Sequence, residues 1–358
     1  MKKAILILIV VLILGALVGI IGQKFFSKKT VSGGSPPATT VPLPDPNAFQ
    51  WGVNTGPNAI GDYTPANWQE QITVLKKLGV KWVRFAWEYQ AGNKVYIREN
   101  EVLQALWDNG MNVILVLEPT GDWEHGMDTY QNGYDTASQV SAYYKGKITY
   151  YQILNEGAAM ISKSATNNGF QESDYDPAKY AKVKKYLQGA SKGIAEGDPD
   201  AKTIVTTVGT HTAYIDMIIR DGIKFDIIGL DWYSWSGPFA TKKGVGGRLV
   251  ADIYKSYGKP FVFAEVNATP ANGDQTNVNE DSQSSFISET AEYAYAHKDW
   301  IRGFYAYALF DASANPKIQD PINFGIYKSI LKADKTSTPT EPKKAFAAYQ
   351  AIIAKYSK

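Results

Sequence analysis

The amino-acid sequence predicts an α/β protein: a TIM (β/α)8 barrel preceded by an N-terminal transmembrane helix and a linker rich in Pro, Gly, Ser and Thr. From residue 49 onward, eight short apolar segments, rich in β-branched and aromatic residues, alternate with amphipathic segments. No glycine-rich nucleotide-binding motif follows an early strand, which disfavours the alternative of a doubly wound open sheet. The chain also begins with a long apolar run, which is typical of a membrane segment.

The predicted strands and helices account for most of the chain after residue 49. The eight strands are residues 49–54, 82–87, 112–118, 149–155, 203–208, 225–233, 260–266 and 303–310. The amphipathic helices are residues 68–79, 102–110, 180–196, 249–257, 286–297 and 344–356. The weakest helical pattern lies between the third and fourth strands, because residues 130–133 are typical of a loop. Eight strands alternating with helices over about 310 residues fit one barrel.

The N-terminal segment predicts a membrane anchor. Residues 4–22 contain only Ala, Ile, Leu, Val and Gly, and at about 1.5 Å per residue they are long enough to cross a bilayer. We expect residues 1–29 to be an uncleaved anchor that inserts into the membrane. The alternative is that they form a signal peptide that is cleaved. Residues 30–46 form a flexible linker, and residues 47–358 form the barrel domain. The domain is expected outside the cytoplasm, and secreted if the segment is cleaved.

The composition excludes several kinds of function. The chain has 358 residues, no Cys and three His, which leaves no thiolate nucleophile and little for a metal site. We therefore expect no metal ion or cofactor. The net charge of +2 does not describe the predicted barrel domain, because the first 29 residues contain five Lys and no acidic residue. The remaining chain carries more acids than bases, so nucleic acid is not an expected partner.

Six acidic residues follow predicted strands, at the end of a barrel where catalytic groups lie. They are Glu88, Glu118, Glu156, Asp231, Glu265 and Asp311. Any one of them could instead form a structural ion pair or cap a helix. Glycosidic bond cleavage needs two carboxyl groups, one protonated and one ionised, and needs no metal. Aromatic side chains near the same ends, including Trp123, Trp232 and Trp235, have apolar faces that suit sugar rings, although each could equally pack in the core.

Two short motifs carry a resemblance to a known group of enzymes. Tyr151-Gln-Ile-Leu-Asn155-Glu156-Gly157 ends the fourth predicted strand, and Pro260-Phe-Val-Phe-Ala-Glu265 ends the seventh. The two motifs together resemble those of the (β/α)8-barrel glycoside hydrolases of clan A, which retain anomeric configuration. Within the clan, we expect a family 39-like or family 5-like member. The resemblance implies that Glu156 is the acid/base and Glu265 the nucleophile. The dipeptide Asn-Glu also occurs twice elsewhere, so its place at a strand end selects Glu156.

Further positions match the clan in part. The resemblance implies that Arg84 supports the nucleophile, that Tyr233 hydrogen-bonds to it, and that Asn155 binds the sugar 2-hydroxyl. Asp231 stands where the clan usually has a His, Glu118 follows the third strand where another His is common, and Tyr307 replaces a Trp. The candidate substrate-binding residues are Arg84, Glu118, Trp123, Asn155, Asp231, Trp232, Tyr233, Trp235 and Tyr307.

These features predict a retaining hydrolase of β-linked glycosidic bonds. The expected substrate is an oligo- or polysaccharide, extracellular or at the envelope, because the predicted anchor holds the domain there. Long loops predicted at residues 157–176 and 267–281 could line an extended cleft. The altered third, sixth and eighth strands leave open a membrane-tethered, non-catalytic carbohydrate-binding pseudoenzyme. A barrel enzyme of unrelated chemistry, such as an isomerase, is a third possibility, although no phosphate-binding loop is evident.

Overall fold

The barrel predicted from the sequence is present in the structure. The computed structural model describes residues 48–55, 68–87, 100–119, 129–268, 279–311, 324–331 and 337–357. Eight parallel strands follow one another around a closed barrel, with β8 hydrogen-bonded to β1. They are β1 Gln50–Asn54, β2 Trp82–Trp87, β3 Asn112–Leu117, β4 Tyr150–Ile153, β5 Lys202–Val208, β6 Ile227–Tyr233, β7 Phe261–Asn267 and β8 Ile301–Ala306. Each overlaps a predicted strand.

Helices connect the strands on the outside of the barrel. In the described parts of the chain they are α1 Trp68–Leu78, α2 Asn100–Asp108, α3 Thr129–Tyr143, α4 Gly157–Ile161, α5 Pro177–Gly197, α6 Thr212–Arg220, α7 Val250–Ser256, α8 Glu280–Ala296 and α9 Lys344–Tyr356. An antiparallel hairpin of β9 Tyr327–Leu331 and β10 Ser337–Pro342 precedes α9. The sequence patterns did not predict this hairpin, α6, or the short helix α4 inside the predicted loop 157–176.

Helix α3 is the segment with the weakest predicted helical pattern, and it includes residues 130–133, whose sequence is typical of a loop. This helix is weakly amphipathic, but it packs closely against α5. Gly189 of α5 lies against the backbone of α3, where an added Cβ would come within 2.0 Å of the Tyr130 carbonyl oxygen. Gly133 of α3 makes a similar approach to the Tyr186 carbonyl oxygen, at 2.4 Å. Close backbone contact therefore stabilises α3 where its own apolar pattern is weak.

Two apolar layers surround the strands. The inner layer fills the lower part of the barrel, and the outer layer packs the strands against the helices. Inward-facing residues alternate with outward-facing ones, because successive side chains of a strand point to opposite faces. The inner layer consists of Trp82, Ile114, Tyr150, Ile204, Ile227, Val262, Ala264 and Tyr305. With this layer closing the barrel below, polar side chains at the carboxyl ends of the strands form the upper opening.

The chain enters the barrel at the end opposite this opening. β1 begins at Gln50, and Phe49 packs against Trp51 and Tyr295 beside it. Residues 1–46, which include the predicted anchor and linker, lie outside the described residues. No helix within the described ranges combines the length and apolar character needed to span a membrane.

Candidate active site

Three carboxyl groups meet at the carboxyl ends of β4, β6 and β7. Glu156 follows β4, Asp231 lies near the end of β6, and Glu265 lies in β7. One oxygen from each group lies within 4.8 Å of an oxygen from each of the others. Asp231 and Glu265 are buried, and Glu156 is partly exposed to the opening. The structure thus brings together the two predicted catalytic glutamates and a third acid.

A sharp turn of the backbone orients Glu156. Leu154 and Glu156 both have positive φ angles, of 68° and 44°, in the left-handed region that side chains other than Gly rarely adopt. Such conformations cost about 1–3 kcal/mol each and persist where the surroundings hold them. Here the Glu156 backbone N–H donates to the Thr206 hydroxyl on β5, at 3.1 Å. The strained turn places the Glu156 side chain over the opening.

An irregularity in β7 turns Glu265 into the barrel. Leu230 pairs with Phe263, but the next residue of β6, Asp231, pairs with Glu265, so that Ala264 is an extra residue in β7. Ala264 faces the barrel interior, and strict alternation would then point Glu265 outward. A bulge of this kind resets the alternation. The extra residue therefore lets both Ala264 and Glu265 face inward.

Arg84, on β2, links the polar groups beneath the opening. Its guanidinium donates to Glu265 at 2.7 Å and to Asn155 at 2.7 Å, and its Nε donates to Gln152 at 2.7 Å. A fourth hydrogen bond, of 2.5 Å, runs to the side-chain oxygen of Asn54. Because Arg84 is buried and its donors bind protein groups, it supports Glu265 rather than contacting a sugar, although it was also among the candidate substrate-binding residues.

Glu265 is held on both carboxylate oxygens. One oxygen accepts from Arg84, and the other accepts from the Tyr233 hydroxyl at 2.6 Å. Two charge-assisted hydrogen bonds fix the orientation of the carboxylate, and Arg84 offsets its charge. Arg84 also puts a permanent positive charge among the three carboxyl groups, so the cluster needs no metal ion to offset the charge of Glu265.

The other acids at the opening favour their protonated forms. Burial, reinforced by the charge of Glu265, raises the pKa of Glu156 to about 8, with Arg84 opposing the shift. Burial also raises the pKa of Glu118 to about 7, again opposed by Arg84. The pKa of Asp231 lies well above its ordinary value, because the group is buried and then because Glu265 is close. Near pH 7 the site can therefore offer a proton from Glu156.

Aromatic residues line one side of the opening. Trp235 is 42% exposed and stacks on Tyr233, with ring centroids 4.5 Å apart. Tyr307, which is partly buried, meets Tyr233 edge-on at 6.2 Å, and Phe324 contacts both tyrosines. Trp235 and Tyr307 are therefore within the predicted site. Glu118 also belongs to it, since its carboxylate accepts from the Asn155 backbone N–H at 3.1 Å.

Two predicted site residues are not exposed at the opening. Trp232 is fully buried against Phe239 outside the barrel, and its indole N–H donates to the Gly237 carbonyl at 3.0 Å. Its neighbours in β6 face inward, so strand alternation points Trp232 outward and its predicted contact with substrate is wrong. Asp231 faces inward but is 0% exposed, so a sugar cannot reach it, and this predicted contact is also wrong. Trp123 lies outside the described residues.

Asp311, another acid predicted at a strand end, has a structural role. Its carboxylate pairs with the Lys343 ammonium at 2.5 Å, and both side chains are largely buried. The ion pair joins the segment after β8 to the start of α9. Glu88 lies outside the described residues.

Three residues of the site escaped the sequence analysis. Asn54 ends β1 and donates to the carbonyls of Ala264 and Ala306, at 2.8 and 3.2 Å. Gln152 and Thr206 are polar residues inside apolar strands, and their side chains are joined by a hydrogen bond of 3.0 Å. A polar residue at a buried strand position was the available signal, since such groups need partners.

The fold and this opening define a class of protein, a barrel hydrolase acting on carbohydrate. The chain belongs to glycosyl hydrolase family 53, whose family model matches residues 61–306. It is therefore a glycoside hydrolase of clan A, as the sequence motifs predicted, although the matching family is neither 5 nor 39. The enzyme interpretation is confirmed. No curated protein matches the chain by sequence.

Solved structures of other glycoside hydrolases share the fold. A family 1 β-glucosidase from Thermotoga maritima has a TM-score of 0.62 at 13% identity, over 86% of this chain and 98% of that one. A family 39 glycoside hydrolase from Bacteroides cellulosilyticus WH2 has a TM-score of 0.60 at 14% identity, over 88% and 65%. Xylanase 10B from Thermotoga maritima has a TM-score of 0.59 at 12% identity, over 87% and 96%.

Proposed function

We propose that the enzyme hydrolyses β-linked glycosidic bonds by double displacement, with retention of anomeric configuration. Glu265 is the nucleophile and Glu156 is the acid/base. The observation that supports this most directly is the spacing of the two carboxyl groups, whose nearest oxygens lie within 4.8 Å. Retaining enzymes place these groups about 5–5.5 Å apart, whereas inverting enzymes leave about 6.5–9.5 Å for a water molecule.

In the first step, the Glu265 carboxylate attacks the anomeric carbon while Glu156 gives its proton to the departing glycosidic oxygen. Arg84 and Tyr233 hold the Glu265 carboxylate in its orientation, through hydrogen bonds of 2.7 and 2.6 Å. The raised pKa of Glu156, about 8, keeps its proton available near neutral pH. The step yields a glycosyl ester on Glu265 and a carboxylate on Glu156.

In the second step, Glu156 takes a proton from water, which attacks the anomeric carbon and releases Glu265. Esterification removes the negative charge of Glu265, one of the causes of the raised Glu156 pKa. The pKa of Glu156 therefore falls in the intermediate, which suits a base. The proton returned to Glu156 restores the starting state.

Asn155 and the aromatic residues Trp235 and Tyr307 bind the sugar. The amide oxygen of Asn155 accepts from Arg84 at 2.7 Å, which directs its NH2 group toward a sugar hydroxyl, in our proposal the 2-hydroxyl. The exposed face of Trp235 and the ring of Tyr307 suit the apolar C–H surface of a pyranose. Glu118 contributes by holding the Asn155 backbone.

We further propose that the enzyme acts outside the cytoplasm, on an oligo- or polysaccharide, while residues 1–29 hold it at the membrane. The support is the uninterrupted apolar run at residues 4–22 and the linker composition of residues 30–46. Fractionation of cells that express the full chain, followed by protease treatment of intact cells, tests this arrangement. Protein that stays soluble in the cytoplasm and protected from protease would exclude it.

The catalytic assignment is tested by rescue with azide. A panel of p-nitrophenyl glycosides first identifies a sugar that the full-length enzyme releases. Glu265→Ala should then lose turnover, and added azide should give the α-glycosyl azide. Glu156→Ala should give the β-glycosyl azide. If Glu265→Ala gave the β-glycosyl azide and Glu156→Ala the α-glycosyl azide, the two roles would be reversed. An initial product of inverted configuration would refute double displacement.

A further inference from the structure

Asp231 is the most deeply buried member of the carboxyl cluster. Its side chain is 0% exposed, and neither carboxyl oxygen accepts a hydrogen bond from a donor group of the residues that the structure describes. Buried polar groups almost always have a partner, and leaving one unsatisfied is costly to the folded state. No other residue of β6 is charged, since the strand otherwise consists of apolar and aromatic residues and one Gly. A buried acid without a partner therefore needs an explanation.

The charges around Asp231 fix its ionisation state. Arg84 on β2 is the cation facing it, and Arg84 already binds Glu265 at 2.7 Å. The other titratable groups near Asp231 are Glu265 on β7, Glu156 after β4, Glu118 after β3, Tyr233 on β6, Tyr307 after β8 and Tyr254 on α7. A carboxylate at this position would be a buried negative charge without hydrogen bonds, beside another negative charge. A neutral carboxylic acid avoids both costs.

A neutral acid at this position has one proton to donate and two possible acceptors. Oxygens of Glu265 and Glu156 lie within 4.8 Å of an Asp231 oxygen, which is within reach of a side-chain rotation. During double displacement one of these two groups is ionised at each stage, Glu265 in the free enzyme and Glu156 in the glycosyl-enzyme. An acid between them can therefore always find one carboxylate.

We propose that Asp231 is a positioning residue that works in its protonated form, donating a hydrogen bond to whichever of Glu265 and Glu156 carries the negative charge. This rests on the proposed double displacement. In the first step the C1–O bond to the leaving group breaks, the C1–O bond to Glu265 forms, and the proton of Glu156 leaves with the product. In the second step water supplies the proton that returns to Glu156. Asp231 keeps its own proton throughout.

Two substitutions separate a neutral donor from other roles. Asp231→Asn keeps the shape and an N–H donor without charge, and should retain kcat/KM within about fivefold of wild type. Asp231→Ala removes the donor and should lose about 10- to 100-fold, the size expected for a hydrogen bond to a charged group. The melting temperature of each variant verifies that it is folded. Equal losses in both folded variants would show that the ionised carboxylate is needed, and an unimpaired Asp231→Ala would show no role.

The pH profile gives a readout that a structural role would not change. If Asp231 is neutral, Asp231→Asn leaves the alkaline limb of kcat/KM in place, because no charge beside Glu156 is removed. A limb displaced to lower pH would mean that Asp231 is ionised in the wild type, and would overturn the proposal. Activity that is lost with a chelator and restored by a divalent cation would also overturn it, since a cation would then balance the cluster.

Infrared spectroscopy tests the protonation state without any substrate. Full-length protein labelled with 13C-aspartate should show at pH 7 the carbonyl stretch of a protonated aspartic acid, and Asp231→Asn should lack it. Identical spectra would refute the proposal even if the enzyme is a retaining glycosidase. Conversely, failure of the azide experiment would refute the catalytic roles while leaving the protonated state of Asp231 established by the spectrum.

Discussion

The ionisation of Glu156 should make the stability of the enzyme depend on pH in a way that one substitution removes. The pKa of Glu156 is raised from 4.5 to about 8, chiefly because the group is buried. For an acid with a raised pKa, the folded state holds the proton more tightly than the unfolded chain does. The resulting penalty is absent below about pH 4.5, grows as the pH rises toward 8, and is complete above that value.

The size of this penalty follows from the shift. Each pKa unit corresponds to about 1.4 kcal/mol of free energy, so the ionised form costs the folded protein about 3–5 kcal/mol. Glu156→Gln cannot ionise, and its backbone can keep the left-handed conformation as well as Glu does. We expect the variant to match the wild type near pH 5 and to exceed it by up to this amount near pH 9.

The measurement is urea unfolding of the full-length protein, followed by tryptophan fluorescence, at several pH values from 5 to 9. Glu289→Gln serves as the matched control, because it makes the same chemical change at an exposed position on α8. If the advantage of Glu156→Gln is the same at every pH, or if the variant is less stable at pH 9, burial does not raise the pKa of this group and the reasoning is refuted.

Three further substitutions test other contacts. Tyr233→Phe removes the 2.6 Å hydrogen bond to the Glu265 carboxylate and should lower kcat/KM about 10- to 100-fold. An unchanged kcat/KM would show that this hydrogen bond does not contribute to catalysis. Lys343→Met leaves Asp311 buried without its partner and should lower the free energy of unfolding by about 3–5 kcal/mol, which urea titration measures. Gly189→Ala places a Cβ 2.0 Å from the Tyr130 carbonyl oxygen and should lower the melting temperature by several degrees, about 2 kcal/mol of overpacking; an unchanged melting temperature would contradict the contact between α3 and α5.

The barrel could be predicted because its strands are buried on both faces. Such strands are continuous apolar segments, and their alternation with amphipathic helices is visible in sequence. Helix α3 showed only a weak pattern, because its stability depends on backbone contact with α5 at residues such as Gly189. The hairpin of β9 and β10 carries no comparable alternation.

Only part of the site could be predicted, because the direction of each side chain decides whether the residue belongs to the site. Alternation along β6 already places Asp231 and Tyr233 on one face and Trp232 on the other, so the orientation of Trp232 was available from the sequence. The inward position of Glu265 was not, since it depends on the extra residue in β7. Nor does the sequence reveal that Asp231 lies too deep to touch a sugar.

The direction in which the strands run has a consequence for how the enzyme meets its substrate. β1 starts at the end of the barrel opposite the carboxyl cluster, since every strand runs from that end toward the opening. The described part of the chain therefore enters the barrel on the side away from the catalytic opening. An enzyme held at this end of the barrel would keep its opening free for large or insoluble glycans. The same geometry favours coupling to a solid support through the N-terminus, because the working end then stays accessible.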